Sequence, residues 1–87
     1  MTATAQTENT ETKTRDARRA AADKFFENFD FGDSTVTDSG QWEDDGIYWS
    51  RRIYGDSEDG TRFWASFGVE FDRKTTKVID SWVEPGN

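Results

Sequence analysis

The chain has 87 residues, 18 acidic against 11 basic, a formal net charge of −7 and only 32% hydrophobic residues. It contains no cysteine and no histidine, which excludes disulfides, thiolate metal sites, and Ser-His or Cys-His nucleophile pairs, and removes the commonest general base and zinc ligand. The length suits one small domain, and no run approaches the ~18 apolar residues of a membrane span.

In chain order, Met1 to Lys13 is rich in Thr, with Ala, Gln, Glu and Asn, and shows neither helical nor strand periodicity. It reads as a disordered polar leader (1–13), and it lacks the apolar core of a secretory signal. Thr14 is an N-cap candidate, with Asp16 suited to the positive end of the helix dipole. From there Ala17, Ala21, Phe25 and Phe29 recur at steps of four, widened by Ala20 and Phe26. Arg18, Arg19, Asp23 and Glu27 oppose them. That pattern predicts one amphipathic helix, with Gly32 as its stop.

Period two follows. Ser34 to Thr37 is a short polar edge-strand candidate, and Gly40 to Gly46 carries Trp42, the acidic run Glu43, Asp44, Asp45 and an Asp-Gly turn signal. Ile47 to Tyr54 is a strand and Gly55 to Gly60 an acidic connection. Thr61 to Asp72 is the longest strand, with a turn at Arg73 to Thr75. Thr76 to Val83 closes the hairpin before Glu84-Pro85-Gly86. The expected fold is α+β. One N-terminal amphipathic helix packs on a curved three- to four-stranded antiparallel sheet, within a single domain at residues 14–87.

Alternation sorts the aromatic residues. Ile47, Trp49 and Ile53 share one face of their strand. Phe63, Ala65, Phe67, Val69 and Phe71 form the most continuous apolar face and are assigned to the core beneath Phe25 and Phe29. Tyr48, Tyr54 and Trp64 then fall on the open face, with Ile79 and Val83 beside them. A one-residue bulge would flip part of this assignment. Trp and Tyr are enriched where proteins grip partners. The plainer reading of a Trp in a small sheet is core or a dimer interface.

The candidate chemistry divides three ways. Asp56-Ser57-Glu58-Asp59-Gly60 has the look of a calcium loop, but Gly60 is fifth and Phe67 stands twelfth, so the EF-hand spacing fails and a solvated turn is expected. Glu43, Asp44 and Asp45 are adjacent carboxylates, which sequence proximity alone does not converge on one bond. Arg51, Arg52, Arg62 and Lys77 in strands, with aromatic residues nearby, are a pattern of base-stacking sheets. The acidic net charge and the opposite faces of Arg51 and Arg52 oppose direct nucleic-acid binding, and cross-strand pairing with Glu70 or Asp72 is the alternative.

Residues 1–46 hold eleven acids (Glu8, Glu11, Asp16, Asp23, Glu27, Asp30, Asp33, Asp38, Glu43, Asp44, Asp45) and five bases (Lys13, Arg15, Arg18, Arg19, Lys24). Such a surface can imitate the phosphates of nucleic acid and occupy a basic groove. Ordinary solubility charge or adaptation to high salt produces the same excess. Val69-Glu70-Phe71-Asp72-Arg73-Lys74-Thr75-Thr76-Lys77-Val78 resembles a recurrent hairpin of small α+β modules, including PepSY-like and cystatin-like sheets, with Thr76 in place of the usual turn Gly. In general character (small, acidic, histidine-free and aromatic) the chain resembles phage or plasmid inhibitors of host defence such as anti-CRISPR and anti-restriction proteins. With no signal sequence or membrane span a cytoplasmic protein is expected, and with no histidine, no cysteine and no ligand or catalytic spacing a non-enzymatic one without cofactor or metal. The net charge and exposed aromatic residues, with that resemblance, point to an inhibitor that binds a nucleic-acid-handling protein complex. The expected contact residues are Tyr48, Tyr54, Trp64, Glu43, Asp44, Asp45, Asp56, Glu58 and Asp59. A cystatin- or NTF2-like domain that holds a small ligand or a second copy of itself is the alternative.

Overall fold

A computed structural model describes the backbone of residues 2–86 and the side chains of residues 13–86. One helix, α1 (Thr2–Glu27), precedes five strands: β1 (Thr35–Ser39), β2 (Glu43–Asp44), β3 (Tyr48–Asp56), β4 (Arg62–Phe71) and β5 (Val78–Pro85). The strands form one antiparallel, unclosed sheet in the order β1-β3-β4-β5, and β2 pairs with β3. The two short strands share one edge of β3, with β1 opposite Ile53–Asp56 and β2 opposite Trp49 and Ser50. The fold is therefore α+β, one helix on an antiparallel sheet, as the periodicities predict.

Both helix ends differ from the sequence expectation. The helix starts at Thr2 rather than Thr14, through the stretch read as a polar leader. No Gly or Pro interrupts the first 31 residues, so nothing in the chain breaks propagation toward the N-terminus. It ends at Glu27, not at Gly32. The Asn28 amide and its Nδ2 both donate to the Lys24 carbonyl at 3.2 and 2.9 Å. Gly32 instead takes φ 68° in the following turn and donates to Asp30 Oδ1 at 2.7 Å.

Of the expected helical stripe, Ala21, Phe25, Phe26 and Phe29 pack against the core, but its first turns are led by other residues. Arg18 and Ala22 are buried, whereas Ala17 and Ala20 are exposed. Arg18 lies between the two turns that close the sheet at one end. Its Nη1 donates to the Gly46 carbonyl at 3.1 Å, Nη2 to Asp72 and Arg73 carbonyls at 3.1 and 3.2 Å, and Nε to that of Thr75 at 3.4 Å. Its guanidinium carbon stands 5.7 Å from the centre of the Phe71 ring. An alanine stripe discriminates weakly between faces. The long arginine stem supplies apolar cover while its head satisfies turn carbonyls.

The core lies between α1 and one sheet face, built from Ala22, Trp49, Ile53, Ala65, Phe67, Val69 and Phe71. Phe67 is its hub, with Phe25, Phe26, Phe29, Phe31 and Trp42 rings all centred within 6.3 Å. Phe31 and Trp42 come from loops, where no periodicity marks them as core. Arg51 joins this side too. Its guanidinium is 4.8 Å from both the Phe26 and Trp42 rings and donates to the Gly40 carbonyl. Asp23 lies 3.9 Å away and accepts the Trp42 indole N–H at 2.7 Å. Burial lowers the Arg51 pKa and the Asp23 charge partly offsets this. Among the described residues, every buried polar side-chain atom has a hydrogen-bond partner. No helix there is long and apolar enough to cross a membrane.

Candidate functional site: the open sheet face

Because α1 covers only one side, no element among the described residues covers the opposite face of β3, β4 and β5, and the strand register fixes what that face displays. Residues directly opposite share a face. The first row is Tyr48, Glu70 and Asp80, and the second is Ser50, Gly68 and Trp82, extended on β2 by Glu43. The third is Arg52, Ser66 and Glu84. The fourth is Tyr54 and Trp64, and the fifth is Asp56 and Arg62.

Two glycines let the indoles lie flat. A Cβ on Gly68 would collide with the Trp82 ring, and one on Gly86 with the Trp64 ring. Trp82 therefore rests on the β4 backbone, where Tyr48 approaches it at 6.4 Å between ring centres, tilted by 58°. At the other end Arg52 stacks on Trp64, 4.3 Å from its ring. Tyr48 is 46% exposed, while Tyr54, Trp64 and Trp82 are half-buried.

The expected aromatic residues Tyr48, Tyr54 and Trp64 thus share this face. Val83 does not. It is opposite Phe67 on the helix side of β5, 39% exposed because the helix does not cover that edge. Ile79, 54% exposed, is the extra residue of a bulge between the Glu70–Asp80 and Phe71–Val78 pairs. That bulge sets the parity of β5 and brings Trp82, absent from the sequence expectation, onto the open face.

The acidic candidates divide into two groups at opposite ends of β3, roughly 26 Å apart at a strand's rise per residue. At the Tyr48 end, Glu43 and Asp44 form β2. Arg15 of α1 donates to Asp44 at 3.0 Å, and Asp45 Oδ1 accepts the Tyr48 backbone N–H at 3.3 Å. Glu43, Asp44, Asp45, Tyr48 and Ser50 line a groove of about 210 Å³. At the far end Asp56 pairs with Arg62 at 3.3 Å and Glu58 is exposed in the turn. The Thr61 backbone N–H, 2.9 Å from Asp59 Oδ1, and then its side chain hold the Asp59 carboxyl below the usual carboxylate range. Asp45 and Asp59 thus stabilise their own turns. No set of three or more metal-ligating side chains converges among the described residues. Arg51 and Arg52 lie on opposite faces, and the partners of Arg51 and Arg62 are Asp23 and Asp56, not Glu70 or Asp72.

Compared with models of protein families, with curated proteins and with solved structures, the chain matches none of them.

Proposed function

We propose that this chain is a non-enzymatic binding protein that holds a protein partner on its open sheet face. Its most concrete form is an acidic inhibitor that blocks a nucleic-acid-handling complex, as anti-CRISPR and anti-restriction proteins do. The observation that carries the reading is the uncovered face itself, on which Tyr48 and Trp82 lie in rows that also hold Glu43, Glu70 and Asp80, while Tyr54 and Trp64 lie between the rows that hold Glu84 and Asp56. Aromatic residues that expose a flat ring on a rigid strand supply contact area at low entropic cost. Carboxylates around them steer a basic partner and offer it the kind of charge that nucleic-acid phosphates carry. The non-enzymatic part of the reading leans on Asp44, Asp45, Asp56 and Asp59, each engaged as a turn cap or ion-pair partner.

The test is capture of partners from bacterial lysate by the tagged protein, with and without excess duplex DNA. The expected result is enrichment of a nucleic-acid-binding protein that the duplex displaces. Capture indifferent to duplex contradicts the mimicry.

A second copy of the chain is the competing occupant, favoured by one observation. The edge strand β5 exposes Val83 and Ile79 beside an apolar groove of about 530 Å³ between Phe25, Phe29 and Val78. Recovery of the bait alone, with a dimer mass on sizing, would select that reading instead.

A further inference from the structure

The two ends of the open face differ in one respect. At the Trp64 end a guanidinium is already in place, since Arg52 stacks on the indole at 4.3 Å and Arg62 pairs with Asp56 in the last row. At the Trp82 end the same kind of aromatic surface is present without a cation. Among the described residues no arginine or lysine lies over Tyr48 or Trp82, and Glu43, Glu70 and Asp80 form no ion pair. The register places Glu70 directly beside Tyr48 and opposite Asp80. Asp80 stands two residues before Trp82 on the same side of β5. This half of the face therefore offers two tilted aromatic rings and three carboxylates with no intrinsic counter-charge.

We propose that the Tyr48–Trp82 half of the open face receives an arginine side chain of the protein partner, with Glu70 and Asp80 as its carboxylate acceptors. The assignment rests on the binding reading above and names the chemistry of its partner. Charge complementarity selects a cation. The Trp82 ring laid flat over Gly68 selects guanidinium over ammonium, because a planar, weakly hydrated head stacks on a ring while its edge donates to carboxylates. The fold solves the same packing problem internally in the same way, with Arg52 on Trp64 and Arg51 against Phe26 and Trp42. Arginines that face a nucleic-acid phosphate present the same donors, so a carboxylate pair beside an aromatic wall competes for them directly.

The experiment titrates the full-length, nitrogen-15-labelled protein with an arginine–glycine repeat peptide and with its lysine–glycine counterpart, reading the four indole N–H resonances. The expected result is a saturable shift of the Trp82 indole. Trp42 and Trp49, whose indoles donate to Asp23 and to the Gly46 carbonyl, stay in place. The lysine peptide should bind several-fold more weakly, and the Glu70→Gln/Asp80→Asn variant should lose about tenfold in affinity for the arginine peptide. Those two substitutions remove charge at surface positions and leave the core intact, and the unchanged spectrum of the variant checks this. Shifts confined to Glu43–Asp45 or to 57–60 with Trp82 unmoved, or equal binding of the two peptides, would overturn the assignment. If that happens while a captured target still depends on Trp64, only the arginine assignment falls. If capture is indifferent to the whole face, the binding reading falls with it.

Discussion

Replacing Phe67 with alanine is expected to cost about 4 kcal/mol, roughly a third or more of the stability of the domain. Phe67 is fully buried and is the one ring that touches every aromatic contributor from outside the sheet. Phe26 and Phe29 stand 5.0 Å away, Phe31 5.8 Å, Trp42 6.2 Å and Phe25 6.3 Å. Its removal leaves a cavity that no neighbour fills by a simple rotamer change, because each of those rings is held from a different direction. A domain of this size has only about 4–13 kcal/mol in total, so the variant should melt about 15–30 °C below the parent. Phe67→Leu, which keeps most of the volume, should retain a cooperative transition. Thermal melting followed by near-ultraviolet circular dichroism checks both. A melting temperature within a few degrees of the parent for Phe67→Ala would mean the core is centred elsewhere.

Arg18→Met is expected to cost about 3 kcal/mol although it keeps the apolar stem. The guanidinium is the shared donor of the β2–β3 and β4–β5 turns, and its loss strips donors from the carbonyls of Gly46, Asp72, Arg73 and Thr75 together. Charge-assisted bonds of this kind contribute roughly 1.5–3 kcal/mol each against water, but those from one head group do not add in full. Arg18→Lys should recover little, since a single ammonium does not span two turns. The distinguishing readout is amide exchange. Protection should fall selectively at the two turns in Arg18→Met, with the middle of β4 falling only in step with global stability. Uniform loss of protection, or a stability equal to the parent, would contradict the role assigned to Arg18.

Period two in Ile47–Tyr54 and Thr61–Asp72 was enough to separate Trp49, Ile53, Ala65, Phe67, Val69 and Phe71 from Tyr48, Tyr54 and Trp64, because each strand is buried on one side only. Three features resisted the same logic for physical reasons. Arg18 is legible only as a charge until the turns it bonds are placed in space. Phe31 and Trp42 reach the core from irregular segments that have no period to follow. Trp82 depends on the bulge at Ile79, which reverses the parity of β5, and no composition rule announces a bulge there. The acidic part of the candidate site was visible as charge but not as arrangement. Asp44 is engaged by Arg15, Asp56 by Arg62, and Asp45, Asp59 and Asp80 by neighbouring backbone N–H groups, so its more open carboxylates are Glu43, Glu58, Glu70 and Glu84, with the second oxygen of Asp80. Glu70, Asp80 and Glu84 lie within strands and were not singled out from sequence as contacts.

The central claim is that the partner is held on the open sheet face, and it is tested most directly by measuring partner capture with Trp64→Ala and Tyr48→Ala against the parent and a control such as Ala17→Ser on the exposed side of α1. The account predicts that both aromatic variants keep a cooperative melt and lose about thirtyfold or more in affinity for the captured protein, as interface anchors do, while the control binds like the parent. Undiminished capture by a folded Trp64→Ala and Tyr48→Ala pair would contradict it, as would unfolding of Trp64→Ala, which would make that indole part of the core.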